Sequence, residues 1–481
     1  MLRTLSIYLF LLLISACANQ QQDQQEKAIA KLNQVKLKLA DNWQLSYFSE
    51  PVFNNNVAVL EAGNKNNPSV ILIHGLGQLG MQDWFSIIPT LEKNYHVIAL
   101  DLPGFGLSSA GKGRFLPTNY ARVIAAINHQ YNNQDNKRKA IIIGHSMGGA
   151  VALRYTELYE AQVKQLILID AAGILEKSAF IKHIAAFEHN DDDSSFRQVQ
   201  IEGINEVSSS MVEAGTKNTA ITNLLQSNDS VWNWLVSDSS NMNAALSLVE
   251  EDFSQAVYQV AVPVNIIWGE KDSIAPLRTG KVLKKQMNNA RLQVIKGAGH
   301  VPMKSHTIEF LRTLKIALNE SIPANISDGI SENRSISNIE KHQGTLNCLG
   351  QSHKTYSGHY DEIIVKGCDN IRLVNISTDR LLIRGSEVDI ENLTFKNFSN
   401  QLVFNQSVVS ITNADITGHN TMLITGSRVD MAGVSIKATG NAVMIANGSR
   451  VSVSLSDINS PNYKGVIHGV FYLKNQPLMT Q

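Results

Sequence analysis

The sequence predicts two folded units in tandem: an open α/β domain with a mostly parallel sheet, and an all-β parallel solenoid. The first prediction rests on continuous apolar runs that alternate with helical patterns across residues 40–318. The second rests on a motif that recurs about every twenty residues across 346–475. Acidic and basic residues number 42 each, without a dense Lys/Arg cluster, so the chain lacks the electrostatic footprint of nucleic-acid binding.

Five short apolar runs have the character of strands that are buried on both faces. Each is rich in β-branched residues and is followed by a Gly, His or Asp, which suits a parallel sheet covered by helices. A helical pattern over residues 150–159 separates two of them, as expected for βαβ units. The runs are residues 70–73, 96–100, 140–143, 166–169 and 264–268.

Residues 171–255 interrupt this alternation and predict an inserted cap. They contain an acidic patch at Asp191-Asp192-Asp193 and amphipathic pieces around Met211 and Trp232. An insertion of this length between two sheet strands is more typical of a helical cap than of a loop. Caps of this kind cover active sites and exclude water from them.

The segment Gly144-His145-Ser146-Met147-Gly148 matches the pattern G-x-S-x-G and stands between a predicted strand and a predicted helix. The small residues at 144 and 148 let the chain turn sharply, which projects the serine hydroxyl above the sheet. The start of the following helix favours negative charge that develops there. Ser146 is therefore the predicted nucleophile.

An acid and a histidine follow Ser146 in the order that a Ser-Asp-His triad of this type requires. Asp272 lies just after the run at 264–268, and His300 lies in a Gly-Ala-Gly-His loop. His300 is predicted to accept the serine proton and Asp272 to fix the imidazole tautomer. Asp170 also ends a predicted strand and stays open as an alternative acid.

The loop His74-Gly75-Leu76-Gly77 follows the first of the apolar runs. In this type of site the backbone N–H groups of such a loop and of the residue after the nucleophile form the oxyanion hole. Leu76 and Met147 are the predicted donors. Each such donor is worth about 3 kcal/mol of transition-state stabilisation.

Taken together, these motifs resemble the α/β-hydrolase superfamily, in particular its cap-bearing esterase and lipase-like branch. The resemblance covers residues 40–318 and implies hydrolysis of a small ester-type substrate through an acyl-enzyme, without a cofactor. It leaves thioester hydrolysis and carbon–carbon bond hydrolysis open, because relatives with the same triad catalyse them. No metal-ligand spacing and no phosphate-binding loop stand out.

The extreme N-terminus resembles a bacterial lipoprotein signal over residues 1–17. Arg3 precedes a short apolar run at 5–14, which is too short to span a bilayer as a helix, and the run leads to Leu13-Ile14-Ser15-Ala16-Cys17. The resemblance implies that Cys17 is acylated, with a chain such as palmitate, and becomes the mature N-terminus, so that the lipid anchors an exported protein in a bacterial cell envelope. Ala18 favours the outer membrane. A plain signal peptide with an incidental Cys17 stays open.

Two polar segments predict connections between the folded units. Residues 18–39 are rich in Gln, Asn and Lys and predict a flexible tether. Residues 319–345 are polar without periodicity and predict an interdomain linker.

The repeats of residues 346–475 resemble a right-handed parallel β-helix. Val388, Val409, Val429 and Val451 occupy equivalent positions, and two further short strands accompany most copies, which predicts three strands per coil. An antiparallel β-sandwich with similar strand lengths stays open. Solenoid faces often bind extended polymers, so a surface-binding module is a second candidate function, although the repeats carry no aromatic ladder.

Cys348 and Cys368 are separated by about one coil of the repeat. Residues one coil apart in a β-helix stack about 4.8 Å from each other, which is compatible with a disulfide. An exported location permits oxidation. The sequence therefore predicts a disulfide that reinforces the first coil, with two buried thiols as the alternative.

Overall fold

The computed structural model describes residues 30–77, 79–132, 138–175, 240–248, 250–319, 344–446, 448–472 and 477–478. The predicted signal peptide with Cys17, the greater part of the predicted tether, the middle of the predicted cap and nearly all of the predicted linker lie outside the described residues. Within the described residues, no helix is long and apolar enough to cross a membrane.

The first domain is built on one twisted sheet with the strand order β1-β2-β4-β3-β5-β6-β7-β8. β1 and β2 pair antiparallel to their neighbours, and all the other pairs are parallel. All five strands predicted from apolar runs are confirmed. The strands are β1 (Gln44–Glu50), β2 (Asn55–Ala62), β3 (Ser69–Ile73), β4 (His96–Leu100), β5 (Ala140–His145), β6 (Val163–Ile169), β7 (Val264–Gly269) and β8 (Ala290–Ile295).

Helices cover both faces of the sheet, which explains why its central strands are apolar on both sides. One face packs against α2, α3, α5 and α6 and the other against α1, α7 and α8. The helices are α1 (Ile88–Leu91), α2 (Pro117–Tyr131), α3 (Met147–Leu158), α4 (Ser240–Leu248), α5 (Ser254–Gln259), α6 (Leu277–Gln286), α7 (Pro302–Ser305) and α8 (Thr307–Asn319).

The structure corrects the end of the predicted tether. Residues 30–36 are helical, and Val35 is buried at 2% exposure. Leu39 packs against the apolar cluster on the α1 side of the sheet. These apolar side chains find partners on the domain, so this part of the segment is ordered despite its polar composition.

The second domain is a stack of coils whose strands within residues 345–460 pair in parallel, consistent with a β-helix, and this pairing rules out the antiparallel sandwich. Its right-handed sense stays a prediction. The strands are β9 (Thr345–Leu349), β10 (Thr355–Tyr360), β11 (Glu362–Lys366), β12 (Ile371–Thr378), β13 (Leu381–Arg384), β14 (Glu387–Asn397), β15 (Leu402–Asn405), β16 (Val408–Gly418), β17 (Met422–Thr425), β18 (Arg428–Ala432), β19 (Ser435–Ala438), β20 (Val443–Ala446), β21 (Arg450–Ser460), β22 (Tyr463–Tyr472) and β23 (Pro477–Leu478).

The coils hold two sheets rather than the three predicted. The strand of the repeat motif, which contains Val388 or Val409, and the short strand predicted to follow it merge into long strands such as β14 and β16, which bend at Asn392 and Asn413. Both asparagines have a positive φ, at 57° and 56°. A single left-handed residue turns the chain without ending the hydrogen-bonded ladder, so the bend does not separate the two segments.

The serines of the repeat motif stack in a column, in which each serine binds the serine of the next coil. The N–H of Ser386 donates to Ser407 Oγ at 3.3 Å, that of Ser407 to Ser427 Oγ at 3.0 Å, and that of Ser427 to Ser449 Oγ at 3.2 Å. The hydroxyls satisfy N–H groups that are buried where the chain turns between the two sheets. The N–H of Cys368 donates to Ser386 Oγ and continues this column into the first coils.

Cys348 and Cys368 form a disulfide, with Cα atoms 6.7 Å apart. Their stacking differs from the one-coil register that the sequence predicted. Cys348 on β9 faces Val365 on β11, and Cys368 lies three residues further on, at the corner. The first coil is shorter than the later ones, so Cys348 and Cys368 lie in successive coils at offset positions and do not stack in one column.

The β-helix docks on the first domain through α6. The Arg278 guanidinium donates to Asp430 Oδ2 at 2.6 Å, to Thr412 Oγ1 at 2.8 Å and to the Ile411 carbonyl at 3.0 Å. Lys281 and Lys285 on the same helix pair with Glu391 and Asp415. A basic face of α6 therefore meets an acidic face of the β-helix.

Apolar contacts accompany these ion pairs. Leu455 and Ala432 of the β-helix belong to the apolar core of the first domain. Gly433 faces α6, and a Cβ there would stand 3.3 Å from Val282 Cγ1. The β-helix keeps a separate core of its own, and these two side chains extend the core of the first domain at the contact.

We expect Arg278→Ala to lower the free energy of unfolding by about 2 kcal/mol, because it leaves the partly buried Asp430 carboxylate, the Thr412 hydroxyl and the Ile411 carbonyl without their charged donor. Lys285→Ala is the matched control. Its partner Asp415 is 62% exposed, so its loss should cost about 0.5 kcal/mol or less. Chemical denaturation measures both, and equal losses would contradict the docking described here.

Removal of the disulfide should also destabilise the chain. Cys348→Ser with Cys368→Ser should lower the free energy of unfolding by about 3 kcal/mol in the chain-entropy treatment, since the bond closes a loop of 20 residues. Intact-mass measurement of unreduced, alkylated protein provides a direct check. Alkylation of both cysteines in the unreduced protein would disprove the bond.

Candidate active site

Ser146 stands on a strained turn between the central strand β5 and the helix α3. Its backbone has φ 54° and ψ −123°, a conformation that costs a residue with a side chain about 1–3 kcal/mol. Three glycines make room for the turn. A Cβ at Gly144 would stand 2.1 Å from the Gly148 carbonyl oxygen, one at Gly148 2.3 Å from the Ile73 carbonyl oxygen, and one at Gly75 2.8 Å from Ser146 Cβ.

His300 and Asp272 complete a hydrogen-bonded line with Ser146. The Ser146 hydroxyl lies 2.8 Å from His300 Nε2, and His300 Nδ1 donates to Asp272 Oδ2 at 2.8 Å. All three side chains follow strands whose carboxyl ends meet at the same edge of the sheet, where open α/β folds place their sites. The structure thus brings together the three residues predicted for the triad.

The loop after β7 holds Asp272 in position. Its Oδ1 accepts the N–H groups of Ile274 and Ala275 at 2.8 and 2.9 Å, and Trp268 Nε1 donates to the Ala275 carbonyl at 2.7 Å. Burial raises the pKa of Asp272, but the neighbouring His300, the Ala275 N–H and the adjacent Asp170 together outweigh burial, so the net pKa is lowered. Asp272 is therefore an ionised acceptor facing the imidazole.

The two predicted oxyanion-hole donors flank the nucleophile. Met147 is the first residue of α3, and first-turn N–H groups have no acceptor within their own helix. Leu76 follows Gly75, which lies against Ser146. Their role as donors to a substrate oxygen stays a prediction.

Asn241 is a residue near the site that sequence reasoning missed. It belongs to α4, at the end of the predicted cap, and its Oδ1 accepts the Gly77 N–H at 3.1 Å. Asn243 on the same helix accepts the Phe115 N–H at 3.0 Å. The end of the insertion is thereby tied to the loop of the predicted oxyanion hole. No local signal could have found this contact, because it joins residues 164 apart.

His145 supports His300 from the other side. Its Nε2–H donates to the His300 carbonyl at 2.7 Å, and the two rings lie 5.0 Å apart. Burial, followed by the nearby His300, lowers the pKa of His145 to about 4, so its ring is neutral. Its place inside the G-x-S-x-G motif was visible in the sequence, but its partner was not.

Asp170, the alternative acid, does not contact His300. It lies at the end of β6, fully buried, and its Oδ1 accepts the Gly269 N–H at 2.7 Å. Its neighbour is the carboxyl group of Asp272. In the structure Asp272, and not Asp170, is the acid that meets the imidazole.

No group of three or more His, Cys, Asp or Glu residues suited to a metal ion occurs in the described part of the chain.

Comparison with known proteins places this site in a family. The sequence profile of the alpha/beta hydrolase fold matches residues 68–307. Monoacylglycerol lipase abhd6-A of Xenopus laevis is 24% identical over 306 residues, which cover 60% of this chain and 84% of that protein. Lipase 1 of Psychrobacter immobilis is 27% identical over 252 residues, which cover 50% and 74%.

An uncharacterized protein of Mycobacterium bovis is 24% identical over 273 residues, which cover 54% of this chain and 77% of that protein. The region that the family profile matches, residues 68–307, contains the sheet from β3 to β8 and the three residues Ser146, Asp272 and His300. Through the domain that contains these residues, the chain belongs to the α/β-hydrolase superfamily.

Proposed function

We propose that this chain is a membrane-tethered serine hydrolase that cleaves carboxylic esters through an acyl-enzyme. The observation that carries the proposal is the line Ser146–His300–Asp272, with two hydrogen bonds of 2.8 Å. Relatives named as lipases support an ester as the substrate class.

The geometry suggests how each residue acts. Ser146 Oγ attacks the ester carbonyl carbon while His300 Nε2 takes its proton. The N–H groups of Leu76 and Met147 stabilise the negative oxygen that forms. His300 then protonates the departing alcohol, which leaves an acyl group on Ser146. A water molecule, deprotonated by His300, releases the acid and restores the serine.

Asp272 supports both proton transfers. Its carboxylate holds the Nδ1–H tautomer of His300, which leaves Nε2 free to accept the serine proton. When the ring becomes an imidazolium, the adjacent negative charge stabilises it, and the effect is large because the carboxylate is shielded from water.

Thioester and carbon–carbon bond hydrolysis use the same triad and remain alternatives. A panel of esters and thioesters of increasing acyl length separates ester hydrolysis from thioester hydrolysis. A binding role for the β-helix is a different proposal, and polymer binding that survives Ser146→Ala would support it.

The tether belongs to the proposal as well. Cys17 lies outside the described residues, and the proposal rests on the signal sequence that ends there. An acylated Cys17 would hold the hydrolase at a bacterial envelope membrane, with the outer membrane favoured by Ala18. More than one acyl chain is needed for a stable anchor.

Ser146→Ala should reduce kcat for ester hydrolysis by several orders of magnitude, up to about 10⁶-fold, because the covalent step is lost. The fold should persist, since alanine keeps the backbone turn, and circular dichroism can check this. A fluorophosphonate probe should label the wild type at Ser146. Turnover that survives the alanine change, or labelling at another serine, would refute the assignment.

Cys17→Ser should abolish acylation and release the protein from membranes. Metabolic labelling with a palmitate analogue reports the acylation, and membrane fractionation after a high-salt wash reports the release. Cys348→Ser with Cys368→Ser is the control for the loss of cysteines in general and should stay attached. A Cys17→Ser protein that still sediments with membranes would show that lipid attachment does not hold it there.

A further inference from the structure

Asp170 is a buried carboxyl group directly behind the triad that the proposed mechanism does not use. It follows the buried strand β6 at φ 43°, and it is 0% exposed. Its Oδ1 accepts one backbone N–H, from Gly269. Its Oδ2 is buried and meets no hydrogen-bond partner among the described residues.

The carboxyl group of Asp272 is a neighbour that interacts electrostatically with Asp170. Asp170 binds the end of β7 directly, because its N–H donates to the Ile267 carbonyl at 3.0 Å and its Oδ1 accepts the Gly269 N–H, and Asp272 follows Gly269 by three residues. Two carboxylates both accept hydrogen bonds, and two like charges repel strongly in a site without water. A contact between them is stable only when one carries a proton that both oxygens share. The pair therefore holds one negative charge.

The surroundings decide which partner is ionised. Asp272 accepts two backbone N–H groups on Oδ1 and the Nδ1–H of His300 on Oδ2, so three donors stabilise its negative form. Among the described residues, Asp170 accepts one N–H group, that of Gly269. The proton therefore belongs on Asp170.

The electrostatics agree with this placement. Burial, and then the negative charge of Asp272, raise the pKa of Asp170 well above its ordinary value. The net effect on Asp272 is a lowered pKa, because His300 and the backbone donors together outweigh burial. The other titratable groups on this side are His300 and, beyond it, His145, whose ring is neutral.

We propose that Asp170 is a neutral carboxylic acid whose O–H donates a hydrogen bond to the Asp272 carboxylate, and that it is a positioning residue of the triad. This rests on the proposed function in that the triad is taken as the catalytic group. The hydrogen bond fixes the Asp272 side chain from behind while His300 binds it from the front. It also reduces the tendency of Asp272 to take the Nδ1 proton, which keeps the charge on the carboxylate.

Two substitutions at this position separate a neutral donor from an ionised group. Asp170→Asn keeps an acceptor for Gly269 and an N–H donor for Asp272, so it mimics the neutral acid. Asp170→Ala removes the donor. With the ester substrate, kcat of Asp170→Asn should stay within about threefold of the wild type, and kcat of Asp170→Ala should fall about 10- to 100-fold with KM unchanged.

Asp101 provides a matched control for folding. It follows the buried strand β4, but both of its oxygens accept N–H groups, from Met81 and Leu107. Asp101→Asn places the amide NH₂ group next to one of these N–H donors, which then has no acceptor, so the melting temperature should fall. Asp170→Asn should leave it unchanged. A similar loss in both variants would show that Asp170 is an ionised acceptor and would overturn the proposal.

Two measurements do not depend on turnover. The infrared difference spectrum between wild type and Asp170→Asn at neutral pH should contain the C=O band of a protonated carboxylic acid. The low-field proton resonance of His300 Nδ1–H should persist in Asp170→Asn and shift or broaden in Asp170→Ala. A carboxylate band in place of the acid band, or an Asp170→Ala protein with unchanged kcat and resonance, would overturn the proposal.

These outcomes also separate the two proposals. An acid band and a perturbed His300 resonance in a protein that cleaves no ester would leave Asp170 as assigned and refute the proposed function. An active wild type without the acid band would refute only the assignment of Asp170.

Discussion

The turn at Ser146 is the constraint around which the site is arranged. A residue with a side chain is held at φ 54° between a buried strand and a helix, and this conformation lifts its hydroxyl above the edge of the sheet. The strain is offset by the packing of β5 and α3, whose side chains are almost all buried. Relaxing the turn would require both elements to move, and the dense core on either side of the sheet opposes such a movement.

The same constraint fixes the surroundings of the nucleophile. The close approach of the β3 and α3 backbones requires glycine at 75, 144 and 148, and it brings the β3 loop beside Ser146. Asp272 and His300 then reach the site from the loops that follow β7 and β8 at the same edge of the sheet. Catalytic geometry here is a consequence of how parallel strands end together.

A second feature of the site is that few of its ionisable groups are charged. Asp272 is ionised, whereas His145 is neutral because burial lowers its pKa to about 4, and burial beside Asp272 raises the pKa of Asp170. One negative charge beside the imidazole therefore acts in a region of low dielectric without competing charges. An imidazolium that forms there has one carboxylate partner.

The β-helix is integrated into the hydrolase domain rather than appended to it. Arg278 lies two residues after Pro276, close to the loop that holds Asp272, and it binds two adjacent coils. Leu455 enters the core of the first domain from a position where other coils carry asparagine or glycine. The repeat thus departs from its pattern where it meets the neighbouring domain.

The sequence by itself determined the parts that depend on local pattern. Apolar runs predicted the five central strands, the G-x-S-x-G motif predicted the turn at Ser146, and the order along the chain predicted His300 as the base and narrowed the acid to Asp272 or Asp170. The period of the repeats favoured the parallel stacking of the second domain over an antiparallel sandwich. These features follow from spacing along the chain, because strand burial, tight turns and coil length are set by neighbouring residues.

Tertiary structure decided what depends on contacts between distant residues. Whether Asp170 or Asp272 meets His300 depends on the loop after β7, which turns Asp272 toward the imidazole and leaves Asp170 behind it. The merged strands, the register of Cys348 and the docking of α6 were equally hidden. Strand spacing gives no information on which side chains a turn brings together, because a single left-handed residue or a shortened coil changes those contacts while the apolar pattern stays the same.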